Sequence, residues 1–228
     1  MIHYHGTPIS PRSKMDGMEG RHFCLSWAYV QRCPSETEAV IKIAQSIMFD
    51  NGAFTAYTAG KPLDIGGFKE WVSEYVQHPH WCVIPDVIGG NERQQRELIA
   101  SWDFPKELSA PVWHLGLSLD WLLELSDNWP RICFGSSAEY WQVGSQSWRK
   151  RMDQAFEVLT MTRRHLPWIH GMRMLGHCGD KWPMASADST NVARNHASRK
   201  IHPEKMAYRI DSIQPKPKWF PEKQMELM

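Results

Sequence analysis

A compact (β/α)8 barrel is the fold this sequence predicts, on three observations. Short apolar, β-branched or aromatic runs recur eight times along the 228 residues. Segments of helical spacing separate most of them, and strands alternating with helices favour a parallel sheet. Three runs also end on an aspartate, Asp50, Asp86 and Asp188, and a parallel barrel assembles its site from residues at the C-terminal ends of its strands. Eight strands favour closure, which leaves no unpaired sheet edge. The competing arrangement is an open doubly wound sheet, but no GxGxxG or Walker sequence follows any run.

In order, the runs are IHYHG (2–6), HFCLSW (22–27), IMFDNG (47–52), WCVIPD (81–86), PVWHLG (111–116), RICFGS (131–136), IHGMRML (169–175) and MASADST (184–190). Ala39, Ile43 and Ile47 lead into the third run at helical spacing, and Phe68, Val72 and Val76 follow it. Leu119, Leu122 and Leu123 precede the sixth run, and Met152, Phe156 and Leu159 precede the seventh. Residues 117–130 hold one short helix, whereas 176–183 are too few for one, so that crossover is expected to be a loop. The barrel is assigned to residues 1–202. Residues 203–228, Pro- and Lys-rich at QPKPKWFPEKQ, are read as an extended C-terminal tail.

A hydrophobic fraction of 42% and a charged fraction of 22% are ordinary for a globular protein. Twelve tryptophans are not ordinary, and Trp81, Trp113 and Trp182 fall near proposed strand ends, where they serve either core packing or stacking on a flat base. The net charge of +1 is uneven: residues 1–139 carry 11 Lys/Arg against 17 Asp/Glu, and residues 140–228 carry 15 against 8. The basic third is read as either a polyanion track or a solvated helix face. The five cysteines form no CxxC pair, which disfavours a zinc knuckle or a disulfide framework. No long apolar run or leader-like segment stands out, so a cytoplasmic, non-membrane protein is expected.

On a barrel, one set of residues projects to the C-terminal mouth: Asp50-Asn51-Gly52, Asp86, His114-Leu115-Gly116, Gly135-Ser136-Ser137 and Asp188-Ser189. Glycines there would let a planar ligand approach the backbone. One aspartate accepts the paired N–H groups of a guanine-like edge. A second can attack an anomeric carbon, and a third would handle the proton of the leaving or entering base.

The order DNGAF (50–54), IPDV (84–87), HLG (114–116), FGSS (134–137), HGMRMLG (170–176) and SADSTNVARN (186–195) resembles the tRNA-guanine transglycosylase superfamily. The resemblance spans roughly residues 47–196. It implies Asp50 as the acid/base, Asp188 beside Arg194-Asn195 as the covalent nucleophile, and Asp86 as reader of the base. It also implies base contacts from Gly135, with Gly116, Ser136, Asn51 and His114 nearby. The tRNA-modifying members carry a CxCxxC…His zinc subdomain after the nucleophile, yet no cysteine follows Cys178 here. They also have a glutamine where His114 stands, and they are longer. The chain is therefore more similar to the compact, often phage-encoded branch that replaces guanine in DNA with a 7-deazaguanine such as 7-cyano-7-deazaguanine. The resemblance implies DNA as partner (tRNA the alternative), a free 7-deazaguanine base as co-substrate, a homodimer, and no metal or cofactor. Arg194, Arg199 and Lys200 are the expected contacts to the nucleic-acid backbone.

Each residue has an ordinary structural alternative. Asp50 before Asn51-Gly52 is a turn former, Asp86 after Pro85 is punctuation, and Asp188 is an N-cap for a helix starting near Thr190. His114 alone on a strand is a core histidine, and Ser136 turns the chain. Two rival functions follow from the same residues. His3 and His5, sharing one side of the first strand, could join His114 and Asp188 in a divalent-metal site of amidohydrolase type. The other rival is a non-catalytic nucleic-acid-binding subunit.

Overall fold

The computed structural model describes residues 1–216 and 219. Nine parallel strands form one sheet in the order β5-β4-β3-β2-β1-β9-β8-β7-β6. They are β1 (Ile2–Gly6), β2 (His22–Ser26), β3 (Ser46–Asp50), β4 (Trp81–Val83), β5 (Ser109–Ala110), β6 (Val112–His114), β7 (Arg131–Gly135), β8 (Trp168–Gly171) and β9 (Ser186–Ser189). The helices are α1 (Trp27–Val30), α2 (Ser35–Ile41), α3 (Ala53–Thr58), α4 (Ile65–Tyr75), α5 (Glu92–Ala100), α6 (Leu119–Asn128), α7 (Gln146–Thr162), α8 (Asn191–Arg199) and α9 (Pro203–Asp211).

All eight predicted runs contain strands, and the ninth arises at Pro111. The two ends of the sheet, β5 and β6, are consecutive in the chain and separated by that one proline, which has no N–H for a ladder. On one side Ile84 N donates to Ala110 O at 2.9 Å; on the other Cys133 N donates to Pro111 O at 2.9 Å. One crossing strand, divided at its proline, thus brings the sheet to a nearly closed TIM-like barrel.

Strand alternation divides the core. Tyr4, Cys24, Met48, Trp81, Val83, Ala110, Val112 and Cys133 cluster inside the barrel. Phe23, Phe49, Trp113, Phe134 and Ala187 face the helices in a second, larger cluster. Trp81, Trp113 and Trp182 are all buried, so these three serve packing.

Three departures from the sequence reading have physical causes. Helix α5 was not signalled by apolar periodicity, because the residue it buries is Gln95, whose amide bonds both Val87 N and Val87 O. Its start is fixed by a capping box between Asn91 and Gln94. Residues 203–211, expected to be extended, form α9, with Pro203 at the helix start and Met206 and Ala207 buried. The remainder of the predicted tail at 217, 218 and 220–228 lies outside the described residues. Finally, His3 and His5 do share a side of β1, but it is the outer side: His5 Nε2 lies 2.9 Å from Asp211 of α9, which also pairs with Arg21. Among the described residues no helix is long and apolar enough to cross a membrane.

Candidate active site

Ser26, Asp50, His114 and Gly135 lie at the C-terminal ends of β2, β3, β6 and β7, and Asp188 lies one residue before the end of β9. Strand alternation turns these residues inward, and Asp86 and Arg173 join them from the loops after β4 and β8. The three predicted aspartates are therefore brought together at one mouth.

Asp50 closes β3 at the mouth. Burial pushes its carboxyl up to about 6 from 3.8; a hydrogen bond with Ser26 lowers it, and the charges of Asp188 and Asp86 raise it again. Gly52 N donates to its Oδ2 at 3.3 Å, so part of its turn-forming role is present too. Gly52 itself is left-handed at φ 79°, and a Cβ there would come within 2.9 Å of Ala28 N. That glycine serves the turn rather than a ligand.

Asp86 is braced on both oxygens. Asn51 Nδ2 donates to Oδ1 at 2.9 Å, and His114 Nε2 lies 2.8 Å from Oδ2. Asn51, a predicted substrate contact, also donates to Ile84 O at 2.9 Å and accepts Ala53 N at 2.7 Å. Both its N–H groups and its carbonyl are committed, so it positions Asp86 and starts α3. His114 Nδ1 is buried without a partner, and a Cβ on Gly135 would lie 3.1 Å from it. With Nε2–H donated to the carboxylate, Nδ1 is an idle acceptor beside Gly135, where a side chain would crowd it.

Asp188 is held on one oxygen alone. Arg173 N donates to Oδ1 at 2.7 Å and His170 Nε2 lies 3.3 Å from the same atom; Oδ2 makes no hydrogen bond among the described residues. The capping alternative fails, because Ser189 Oγ rather than Asp188 receives Asn191 N, at 3.0 Å. The imidazole is oriented from behind. Trp168 Nε1 donates to Ser186 Oγ at 2.8 Å, and Ser186 Oγ lies 2.8 Å from His170 Nδ1. The Asp188 carboxylate only accepts, so in the neutral imidazole the proton sits on Nε2, toward Asp188, and Nδ1 takes the serine proton. Burial lowers the His170 pKa, and Asp188 opposes that shift.

Neither His170 nor Arg173 was assigned a role from the sequence, although both stand in HGMRMLG. Arg173 adopts φ 59°, a left-handed conformation costly for a side chain of its size. Its N–H thereby meets Asp188, while its guanidinium lies 3.8 Å from the ring centroid of Phe54. Burial lowers its pKa; Asp188, Asp50 and Asp86 raise it, in that order. A cation beside three carboxylates inside an apolar run was the available signal.

The chain matches no known family model, no curated protein and no solved structure. The site's chemistry must therefore be read from its own geometry.

The other predicted residues divide. Ser136 Oγ accepts Trp148 Nε1 at 2.9 Å and its carbonyl lies 3.4 Å from Arg173 Nη2, so it ties the mouth loop to α7. Gly116 is exposed at the rim. Arg194 is exposed near the mouth end of α8, while Arg199 and Lys200 stand at the opposite end of that helix. The rival metal set is not assembled: His3 and His5 face α9 while His114 and Asp188 face the mouth. Among the described residues no group of three or more His, Cys, Asp and Glu side chains is placed to hold a metal ion.

Proposed function

We propose that this chain is a base-exchange transglycosylase that replaces guanine in DNA with a 7-deazaguanine. The observation that carries the reading is the asymmetry of Asp188. Its Oδ1 is fixed by a main-chain N–H at 2.7 Å and an imidazole at 3.3 Å, and its Oδ2 has no hydrogen bond among the described residues and shares the mouth with a second carboxyl titrating at about 6. An oriented carboxylate with one idle oxygen suits a covalent glycosyl carrier, and a group of pKa about 6 suits proton exchange near neutrality.

In the first half-reaction Asp188 Oδ2 forms a bond to C1′ and the C1′–N9 bond breaks. The bonding pair leaves on guanine, which takes a proton from Asp50. In the second, the Asp50 carboxylate accepts the N–H proton of the incoming 7-deazaguanine. The base nitrogen then attacks C1′ and the C1′–O bond to Asp188 breaks. The oxocarbenium-like charge at C1′ is stabilised by the adjacent carboxylates. Asp86 accepts from the N–H edge of the base, and the idle His114 Nδ1 beside Gly135 supplies a second acceptor. Arg173 balances the acidic mouth. A nucleotide reacting here must leave its stack, at roughly a few kcal/mol in duplex.

Nucleoside mass spectrometry tests the reading. The full chain is incubated with 7-cyano-7-deazaguanine and, separately, guanine-containing DNA and tRNA. A modified deoxynucleoside in DNA is expected. Modification of tRNA alone would keep the chemistry and replace the substrate; no product on either would sink the reading.

A further inference from the structure

A basic cleft lies away from the mouth. Lys14, His196, Lys200, His202, Lys205 and Arg209 line a cleft of about 660 Å³ between the 10–14 segment, the end of α8 and the face of α9. Its wall is tied in place: His196 Nε2 lies 3.0 Å from Ser10 O, joining that segment to α8. No carboxylate lines the cleft, and none of its four Lys and Arg side chains has an ion-pair partner among the described residues. The acidic groups of α9 are not part of the lining. Glu204 turns to Gly17, whose Cβ would lie 2.9 Å from its carboxyl, and Asp211 pairs with His5 and Arg21. His202 contributes a buried Nδ1 with no hydrogen-bond partner among the described residues.

The position is informative. Helix α8 begins directly after β9, with exposed Arg194 in its first turn, and its nine residues carry the chain about 13 Å to Lys200. We infer that this cleft binds the phosphodiester backbone of the nucleic-acid strand whose target nucleotide enters the mouth. Four cations without carboxylate partners, in a cleft one helix length from an acidic site, hold flanking phosphates while the mouth handles one base. The inference rests on the nucleic-acid reading of the mouth.

Fluorescence anisotropy with a labelled 20-nucleotide single-stranded DNA tests it without any chemistry. The Lys14→Ala/Lys205→Ala/Arg209→Ala variant removes three cations at exposed positions. Its slope of log affinity against log salt should be shallower than wild type by about 2, with binding at low salt weakened at least about tenfold. Lys42→Ala/Arg93→Ala/Lys150→Ala removes the same charge outside the cleft and should leave both unchanged. Equal slopes for wild type and the cleft variant, equal losses in both variants, or no salt-dependent binding by wild type would each overturn the cleft. Binding that follows the cleft without base exchange would overturn the transglycosylase reading alone, and exchange with unaltered slope would overturn the cleft alone.

Discussion

The two ends of the barrel axis use similar polar residues in opposite ways. At the floor, Trp81 Nε1 donates to Tyr4 Oη at 2.8 Å, Tyr4 Oη lies 3.1 Å from Ser46 Oγ, and Ser46 Oγ lies 2.7 Å from His22 Nδ1. Arg131 lies over Trp81 at 4.4 Å and Trp168 at 5.2 Å; its Nε and one Nη are buried without hydrogen-bond partners, and the indole faces take their place. At the mouth three carboxylates converge, an imidazole nitrogen and a carboxylate oxygen are left idle, and Arg173 is held left-handed. The floor uses polarity to close the barrel. The mouth holds like charges close together, an arrangement that costs stability.

That contrast is open to attack from both ends. Asp188→Asn should lower base exchange by about a thousandfold or more with little change in melting temperature, since the amide oxygen can still accept from Arg173 N and His170 Nε2 while the charged oxygen that forms the bond is lost. Trp81→Ala should do the reverse. Loss of its packing, its bond to Tyr4 and its face to Arg131 should cost about 3–5 kcal/mol in chemical denaturation. A floor variant of full stability, or a mouth variant that unfolds, would erase the distinction.

Asp50 sharpens it. Its folded pKa of about 6 lies above the unfolded 3.8, so the folded state binds the proton more tightly between those values. The Asp50 contribution to stability should then fall as pH rises from about 4 to about 6 and level off above, by up to about 3 kcal/mol. Asp50→Asn should abolish that slope and be the more stable protein at pH 7.5 while losing exchange. Parallel melting profiles for the two from pH 4 to 8 would contradict the raised pKa.

Smaller effects follow along the line from floor to mouth. His170→Phe cuts the chain Trp168–Ser186–His170–Asp188 and should reduce kcat by about 10–100-fold with KM unchanged, because it misorients the nucleophile without touching the base. Arg199→Ala, exposed at the far end of α8, should leave stability within about 0.5 kcal/mol and exchange within about twofold.

Much of this was legible in the sequence, for identifiable reasons. Strands buried on both faces are continuous apolar runs, so all eight were visible, and an aspartate closing such a run announces the mouth. Pro111 was visible too, but its division of one strand depends on partners brought from both sheet edges. Helix α9 was hidden because its own composition is polar; it folds by burying Met206 and Ala207 against the barrel. His3 and His5 had the right period, but period alone does not say which side of a strand is the inside. Asn51 reads as a ligand contact because it follows Asp50, whereas its amide is spent on Asp86, Ile84 and Ala53; Ser136 accepts Trp148 Nε1 and keeps its own O–H to donate. Arg173 was missed because its role depends on a backbone angle that no local pattern announces.

The most direct test is to mix the full chain with guanine-containing single-stranded DNA, without an incoming base, and record its intact mass after denaturation. A covalent adduct of protein plus DNA lacking one guanine is predicted, present in wild type and absent in Asp188→Ala. An adduct of the same mass in Asp188→Ala, or base exchange in wild type with no adduct, would contradict Asp188 as the carrier.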